Sequence, residues 1–102
     1  MKIALIGDYL SIEYKSELGV LRSELRDDHI EDLGRHNTGN WKKDFDRRCA
    51  DIDDSRQVIV LHDWSYYFDA KADITYSQKM KKEMFVLFDG KLFPWDVYYA
   101  RK

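Results

Sequence analysis

The chain has 102 residues, a formal net charge of −2 and a sequence pI of about 5.9. This length suits one domain with a buried core and is too short for two. The nearly balanced charge argues against a duplex nucleic-acid-binding protein, which would carry a basic surface. The single cysteine, Cys49, excludes an intrachain disulfide and a multi-cysteine zinc site, and is typical of a reducing compartment.

The first half of the chain alternates apolar runs with a segment of helical period. Residues 2–6 form an apolar run that predicts a strand ending at Gly7. Ser11 is the predicted N-cap of a helix, whose apolar residues recur every three or four positions: Tyr14, Leu18, Leu21 and Leu25. Residues 28–33 give only a weak strand pattern, and residues 35–40 are typical of a loop.

The second half repeats this alternation. Asn40 is the predicted cap of a second helix, whose apolar face contains Trp41, Phe45, Cys49 and Ile52. A strand is predicted over residues 58–61, a helix over about 69–82 and another strand over 84–88. The aromatic tail alternates with period two around Pro94, which predicts an edge strand, where a proline is tolerated.

Strands that alternate with helices predict an α/β fold with right-handed crossovers. We expect residues 1–102 to form one flavodoxin-like domain, a three-layer sandwich with a mostly parallel sheet of four or five strands. The opening apolar run is too short for a membrane span and ends in a charged turn. A cytoplasmic protein with neither signal peptide nor membrane contact is therefore expected.

The turn after strand 58–61 is the expected functional site, because ligands bind beyond the carboxyl ends of parallel strands. It begins with His62, Asp63 and Trp64, and two carboxylates follow at Asp69 and Asp73. The three histidines have no metal-ligand spacing, and the scattered glycines form no phosphate loop, so we expect no metal and no cofactor.

These elements and residues resemble the nucleoside 2-deoxyribosyltransferase family and its small relatives, which include nucleotide N-glycosidases. The family shows Gly-Pro and an aromatic after the first strand, where this chain has Gly7, Asp8 and Tyr9. After the central-strand tryptophan, here Trp64, it shows serine, glycine, alanine and a glutamate nucleophile. The matching positions here are Tyr67, Asp69, Ala70 and Asp73, of which only the alanine is kept.

The resemblance implies cleavage or transfer at an N-glycosidic bond of a nucleoside or nucleotide derivative. Asp73 would be the nucleophile and Asp51 the proton donor, with Asp53 and Asp54 as rivals. Other residues would bind the substrate: Gly7, Asp8, Tyr9, Asp63, Trp64, Asp69 and Ala70. Aspartate shortens the nucleophile by roughly 1.5 Å, and a misplacement of about 1 Å can cost on the order of 100-fold in rate. Tyr67 and Asp69 would favour a neutral nucleoside over a phosphate.

Two other interpretations stay open. The chain could be a catalytically inactive member of this group that acts as a nucleotide-ligand sensor or a protein-interaction module. Asp8 and Asp63 also follow strands as in a phosphorylated receiver domain, but the doubled acidic pair and the lysine before proline are missing.

The number of aromatic residues predicts assembly. Seven lie in two short segments: Tyr66, Tyr67, Phe68, Phe93, Trp95, Tyr98 and Tyr99. Such residues are enriched at interfaces, and in the resembled family a neighbouring subunit completes the active site. We therefore expect a homodimer or a higher even-numbered oligomer.

Overall fold

A computed structural model of the protein describes residues 1–100. The strands are β1 (Lys2–Ile6), β2 (His29–Asp32), β3 (Gln57–Leu61), β4 (Glu83–Phe88) and β5 (Lys91–Pro94). The helices are α1 (Ile12–Glu24), α2 (Trp41–Asp54), α3 (Phe68–Lys79) and α4 (Trp95–Ala100), with short 3₁₀ turns at Leu33–Arg35 and Trp64–Tyr66. Within residues 1–100, no helix is long and apolar enough to cross a membrane.

The five strands form one sheet in the order β2-β1-β3-β4-β5. β1 pairs in parallel with β2 and β3, β3 pairs in parallel with β4, and β5 is antiparallel to β4. The sheet is therefore mixed, and the prediction of a mostly parallel sheet is wrong. The reason is the two-residue turn after β4, in which Asp89 and Gly90 have φ angles of 52° and 73°. A turn this short joins only antiparallel strands.

Helices cover the sheet in an arrangement compatible with a three-layer α/β sandwich. α1 connects the parallel pair β1 and β2, while α2 and α3 lead into β3 and β4 and contact each other. The core is built from apolar side chains of the two central strands, and Ala4, Leu5, Ile6, Val58 and Val60 are all completely buried. The continuous apolar runs at these positions reflect burial on both faces of the sheet.

Both predicted helix caps are confirmed. The Ser11 hydroxyl accepts a hydrogen bond from the backbone N–H of Tyr14 at 3.0 Å. The Asn40 side chain accepts one from the N–H of Lys43 at 3.0 Å. Each cap pairs a backbone donor that the first helical turn leaves without a partner.

The prediction that the aromatic tail continues as an edge strand is wrong. The strand ends at Pro94, and a helix begins at Trp95. In a helix, Trp95 and Tyr99 lie four residues apart on one face. Their rings are 4.4 Å apart, and the Trp95 ring lies 5.7 Å from that of Trp64. The helix brings these aromatic rings together, whereas a strand would extend the tail.

The helix predicted over residues 69–82 also ends earlier than expected, at Lys79. Lys81 has a φ of 56°, in the left-handed region, so the backbone has left the helical conformation there. This change of direction leads the chain into β4.

Candidate functional site

Two adjoining clefts open where the parallel strands end. The first cleft, of about 190 Å³, lies between the turn after β1, the segment after β2, and helices α2 and α3. The aromatic and ionisable residues that line it are Tyr9, His36, Trp41, Asp44, Arg48 and Asp69. The second cleft, of about 230 Å³, lies between the turns after β1 and β3 and is lined by Gly7, Asp8, Tyr66, Tyr67 and Phe68. Tyr9, Leu10 and Asp69 line both clefts, so the two are neighbours, and together they are called the groove.

The segment after β2 packs closely against the start of the site. The Asp32 carboxylate accepts a hydrogen bond from the Gly34 backbone N–H at 2.9 Å, which fixes the 3₁₀ turn. A Cβ atom at Gly34 would lie 3.0 Å from the Tyr9 Cβ and 3.2 Å from the Tyr9 carbonyl oxygen. Glycine therefore allows this turn to approach Tyr9 and close one side of the first cleft.

Asp73 of α3 is the centre of a buried polar cluster beneath the groove. Its side chain has no solvent exposure, and its Oδ2 atom accepts hydrogen bonds from the Tyr9 hydroxyl and from Arg48 Nε, the latter at 2.8 Å. Tyr9 and Arg48 both line the first cleft, whereas Asp73 lies behind them. The Arg48 side chain is 3% exposed, so this is a buried ion pair.

Burial controls the protonation of this cluster. Burial raises the pKa of Asp73 to about 6, although hydrogen bonds from Tyr9 and Arg48 act in the opposite direction. Burial, together with the neighbouring Asp73 carboxylate, also holds the pKa of Tyr9 well above its ordinary value. Tyr9 is therefore a neutral phenol whose hydroxyl donates a hydrogen bond to Asp73.

Two buried polar atoms of this ion pair have no hydrogen-bond partner within residues 1–100: Arg48 Nη2 and Asp73 Oδ1. The guanidinium carbon lies 5.4 Å from the centre of the Tyr9 ring and 5.9 Å from that of Phe45. Aromatic faces attract a cation at this range, but they do not replace a hydrogen-bond acceptor. The buried Nη2 donor of Arg48, a residue that lines the first cleft, is therefore unsatisfied within residues 1–100.

Trp41 and Asp69 close the outer side of the first cleft. Trp41 Nε1 donates to Asp69 Oδ1 at 2.7 Å, which joins the start of α2 to the start of α3. The Trp41 ring stacks on Phe45 with 5.0 Å between ring centres and an interplanar angle of 7°. Trp41 is 44% exposed, so part of the indole remains open to a ligand.

Asp44 fixes the loop beside these residues. Its two carboxylate oxygens accept the Thr38 backbone N–H at 3.1 and 3.0 Å, and Oδ1 also accepts the Thr38 hydroxyl at 2.8 Å. The loop that carries His36 and Asn37 is thereby tied to the first turn of α2. Asp44 is committed to this structural role.

The predicted catalytic pair is not brought together by direct contact. Asp73 is joined to Tyr9, as the predicted pocket requires. Asp51 instead accepts Arg35 Nη2 at 2.9 Å and lies 2.7 Å from His36 Nε2. The two rivals for the proton-donor role are also engaged, since Asp53 accepts the Tyr76 hydroxyl and Asp54 pairs with Lys2.

Some of the predicted binding residues line the groove, whereas others are buried or pack against the last helix. Gly7 and Asp8 line the second cleft, and Asp69 lines both clefts. Ala70 is completely buried, while Trp64 donates its indole N–H to Tyr99 and packs on Trp95. Asp63 begins the second 3₁₀ turn, and its buried Oδ1 has no partner within residues 1–100.

Three cleft residues were missed from the sequence: Arg48, His36 and Trp41. Sequence periodicity could have indicated Arg48, because it lies beside the apolar face of α2, three residues after Phe45 and four before Ile52. A charged residue on such a face requires a buried partner. His36 had no comparable signal, since its position depends on the loop fold.

Compared with known proteins, the chain matches no family model, no curated protein and no solved structure. The deoxyribosyltransferase resemblance therefore stays a prediction. The function is therefore inferred from the groove and its side chains.

Proposed function

We propose that the protein binds a nucleoside or a small nucleotide-derived ligand in the groove at the carboxyl ends of β1 and β3. The observation that carries the proposal is Arg48, which lines a cleft with aromatic sides and whose buried Nη2 atom has no partner within residues 1–100. A buried donor without a partner costs about 1–3 kcal/mol. An acceptor oxygen or ring nitrogen of a ligand would offset that cost.

The aromatic residues support a ligand with a flat ring. Tyr9 and Trp41 line the first cleft, and the exposed part of Trp41 offers a face to a base. Stacking of a base on an aromatic side chain is worth roughly 1–3 kcal/mol in nucleic-acid systems. A nucleobase supplies both the flat ring and the acceptors that Arg48 requires.

The charges around the groove favour a neutral ligand. Asp44 and Asp69 line the first cleft and Asp73 lies behind it, so three carboxylates surround the single guanidinium of Arg48. A phosphate would face net repulsion there. We therefore propose that a nucleoside binds more tightly than its monophosphate.

The position of the groove also supports a ligand site. We propose that the domain is a flavodoxin-like variant, because the strand order β2-β1-β3-β4-β5 follows that fold, with the last strand reversed. The order changes direction between β1 and β3, where such folds bind their ligands. The second cleft lies between the turns that follow these two strands.

Binding without turnover is favoured over glycosidic cleavage. Asp73 has no solvent exposure, and Tyr9 and Arg48 lie between its carboxylate and the first cleft. A nucleophile must come within about 3–3.5 Å of the atom that it attacks. Attack on a sugar would therefore require Tyr9 or Arg48 to move away from Asp73.

The test is a thermal-shift screen of the full chain against the common ribonucleosides, deoxyribonucleosides and their monophosphates. A ligand at about 100 times its dissociation constant adds roughly 2.7 kcal/mol to the free energy of unfolding. For the best nucleoside, Trp41→Leu should weaken binding by about tenfold in calorimetry, because it removes the exposed stacking face. The control is Trp95→Leu, which lies outside the groove and should leave affinity unchanged in protein that remains folded.

Two outcomes separate the alternatives. No thermal shift with any nucleoside or nucleotide would reject the proposal and favour a protein-interaction module. Release of free base by the wild type, and none by a folded Asp73→Asn variant, would show cleavage that depends on the Asp73 carboxylate in place of simple binding.

A further inference from the structure

His36 is the one histidine of residues 1–100 that lines the first cleft. It follows the 3₁₀ turn Leu33–Arg35, and its backbone N–H donates to the Leu33 carbonyl at 3.4 Å. Its side chain is 15% exposed, and its Nε2 atom lies 2.7 Å from Asp51 Oδ2. The ring is therefore held by a carboxylate on one side and borders the cleft.

Asp51 also pairs with a cation, Arg35. Arg35 Nη2 lies 2.9 Å from the same Oδ2 atom, and Arg35 Nη1 lies 2.9 Å from Glu31 Oε2 and 2.9 Å from the Asp32 carbonyl oxygen. These contacts connect α2 to the end of β2. The Asp51 carboxylate on α2, which orients His36, is therefore also held by Arg35, which is itself fixed to the end of β2.

This contact leaves Nδ1 as the ring nitrogen available to a ligand. Nδ1 makes no hydrogen bond within residues 1–100 and is not among the buried unpaired atoms of that part of the chain. When Nε2 carries the proton and donates to Asp51, Nδ1 of the neutral ring is an acceptor. A carboxylate paired with one ring nitrogen commonly fixes the tautomer in this way.

We propose that His36 contacts the ligand through Nδ1 and that Asp51 is its positioning residue, an inference that rests on the proposed function. His36 accepts a ligand N–H or O–H, while Arg48 donates to a ligand acceptor at the same cleft. A nucleoside offers both kinds of group. Asp51, the proton donor expected from the sequence, acts on the ligand only through His36.

The experiment combines imidazole NMR of the nitrogen-15-labelled full chain with calorimetry. The NMR probes are adenosine, inosine, uridine and cytidine, and the calorimetric probe is the one of these that binds most tightly. In the free protein, the neutral His36 ring should show the Nε2–H tautomer. The bound nucleoside should shift the His36 Nδ1 resonance and leave that of His29, which lies outside both clefts, unchanged.

His36→Gln should weaken nucleoside affinity by about tenfold, the loss expected for one hydrogen bond. His29→Gln is the matched control and should not change it. Asp51→Asn should keep the fold but shift the His36 tautomer balance toward Nδ1–H, because an amide can also donate. That spectroscopic change separates positioning from a merely structural role.

The outcomes distinguish this inference from the proposed function. Nucleoside binding that Trp41→Leu weakens but His36→Gln leaves unchanged would overturn the role of His36 and keep the binding proposal. An Nδ1–H tautomer in the free wild type would overturn the role of Asp51 whatever the nucleosides do. Absence of binding by all four nucleosides would overturn the role of His36 in nucleoside recognition, whereas the proposed function is rejected only if no nucleoside or monophosphate of the thermal-shift screen stabilises the protein.

Discussion

Two aspartates that hold lining residues of the groove have similar partners and different surroundings. Asp73 forms the floor beneath the lining residues: it has no solvent exposure and accepts hydrogen bonds from Tyr9 and Arg48. Asp51 forms the rim behind His36: its side chain is 18% exposed and contacts Arg35 and His36. Each carboxylate thus has one guanidinium and one second donor. We expect that burial, and not the identity of the partners, decides how much stability is lost when a partner is removed.

The physical reason is desolvation. Removing one member of a buried ion pair leaves a charge that water cannot reach. At the rim, water and salt ions take over part of the lost interaction. Arg35 is 44% exposed, whereas Arg48 is 3% exposed. The following predictions test this difference between floor and rim.

Arg48→Met should have the largest effect. It leaves Asp73 buried without its counter-charge, and such losses lower the free energy of unfolding by about 3–5 kcal/mol. Urea denaturation at neutral pH measures this change. Arg47→Met, on the exposed side of the same helix, is the matched control and should have little effect.

The double variant Arg48→Met/Asp73→Asn sharpens the same point. Removing both charges should restore part of the stability that Arg48→Met loses, because no buried charge then remains unpaired. A double variant as unstable as the sum of the two single variants, or an Arg48→Met cost no larger than that of Arg47→Met, would contradict the proposed control by burial.

The second prediction is a pH dependence confined to the floor. Burial raises the pKa of Asp73 to about 6 from the ordinary 3.8, so the folded protein binds this proton more tightly than the unfolded chain. The contribution of Asp73 to the free energy of unfolding should then fall as the pH rises from about 4 to about 6. A rise of about 2 in pKa corresponds to roughly 3 kcal/mol, fully present below the lower value and lost above the higher one.

The measurement compares urea denaturation of the wild type and of Asp73→Asn across that pH range. Other carboxylates, such as Asp44 with its lowered pKa, contribute in the opposite direction but occur in both proteins. The difference between the two curves isolates Asp73. A difference that does not change between about pH 4 and pH 7 would show that Asp73 keeps the same protonation in both states.

Local patterns predicted much of the scaffold around the groove. The caps Ser11 and Asn40, and the buried β1 and β3, follow from residues near one another in sequence. Asp73 was singled out only by the resemblance to the deoxyribosyltransferase family, which implies a carboxylate at that offset from Trp64. The tail could not be assigned in this way, because Trp95 and Tyr99 share a face both in a strand and in a helix.

The contacts of the rim and of the floor could not be predicted, because each joins residues that are distant in the sequence. Asp51 lies in an acidic segment at the end of α2, and nothing in that segment indicates that Arg35 and His36 fold against it. Arg48 and Asp73 are 25 residues apart, on different helices. Only packing of α2 against α3 makes them partners, so periodicity identifies the face and not the contact.

Asp51→Asn should have the smallest effect of the three, and its dependence on salt completes the comparison. The asparagine retains an oxygen that can accept from Arg35 or His36, so the free energy of unfolding should fall by only about 1 kcal/mol. Because this pair is partly exposed, raising the salt concentration to about 1 M should reduce the loss further, since ions then screen charges beyond roughly 3 Å. The loss from Arg48→Met should hardly change with salt, because the ions do not reach the buried pair.

Urea denaturation of both variants at low and high salt tests this directly, with Asp54→Asn at the exposed pair with Lys2 as a control that should change little. A salt-insensitive Asp51→Asn loss as large as that of Arg48→Met would mean that the rim is as desolvated as the floor, and that Asp51 belongs to the core of the site.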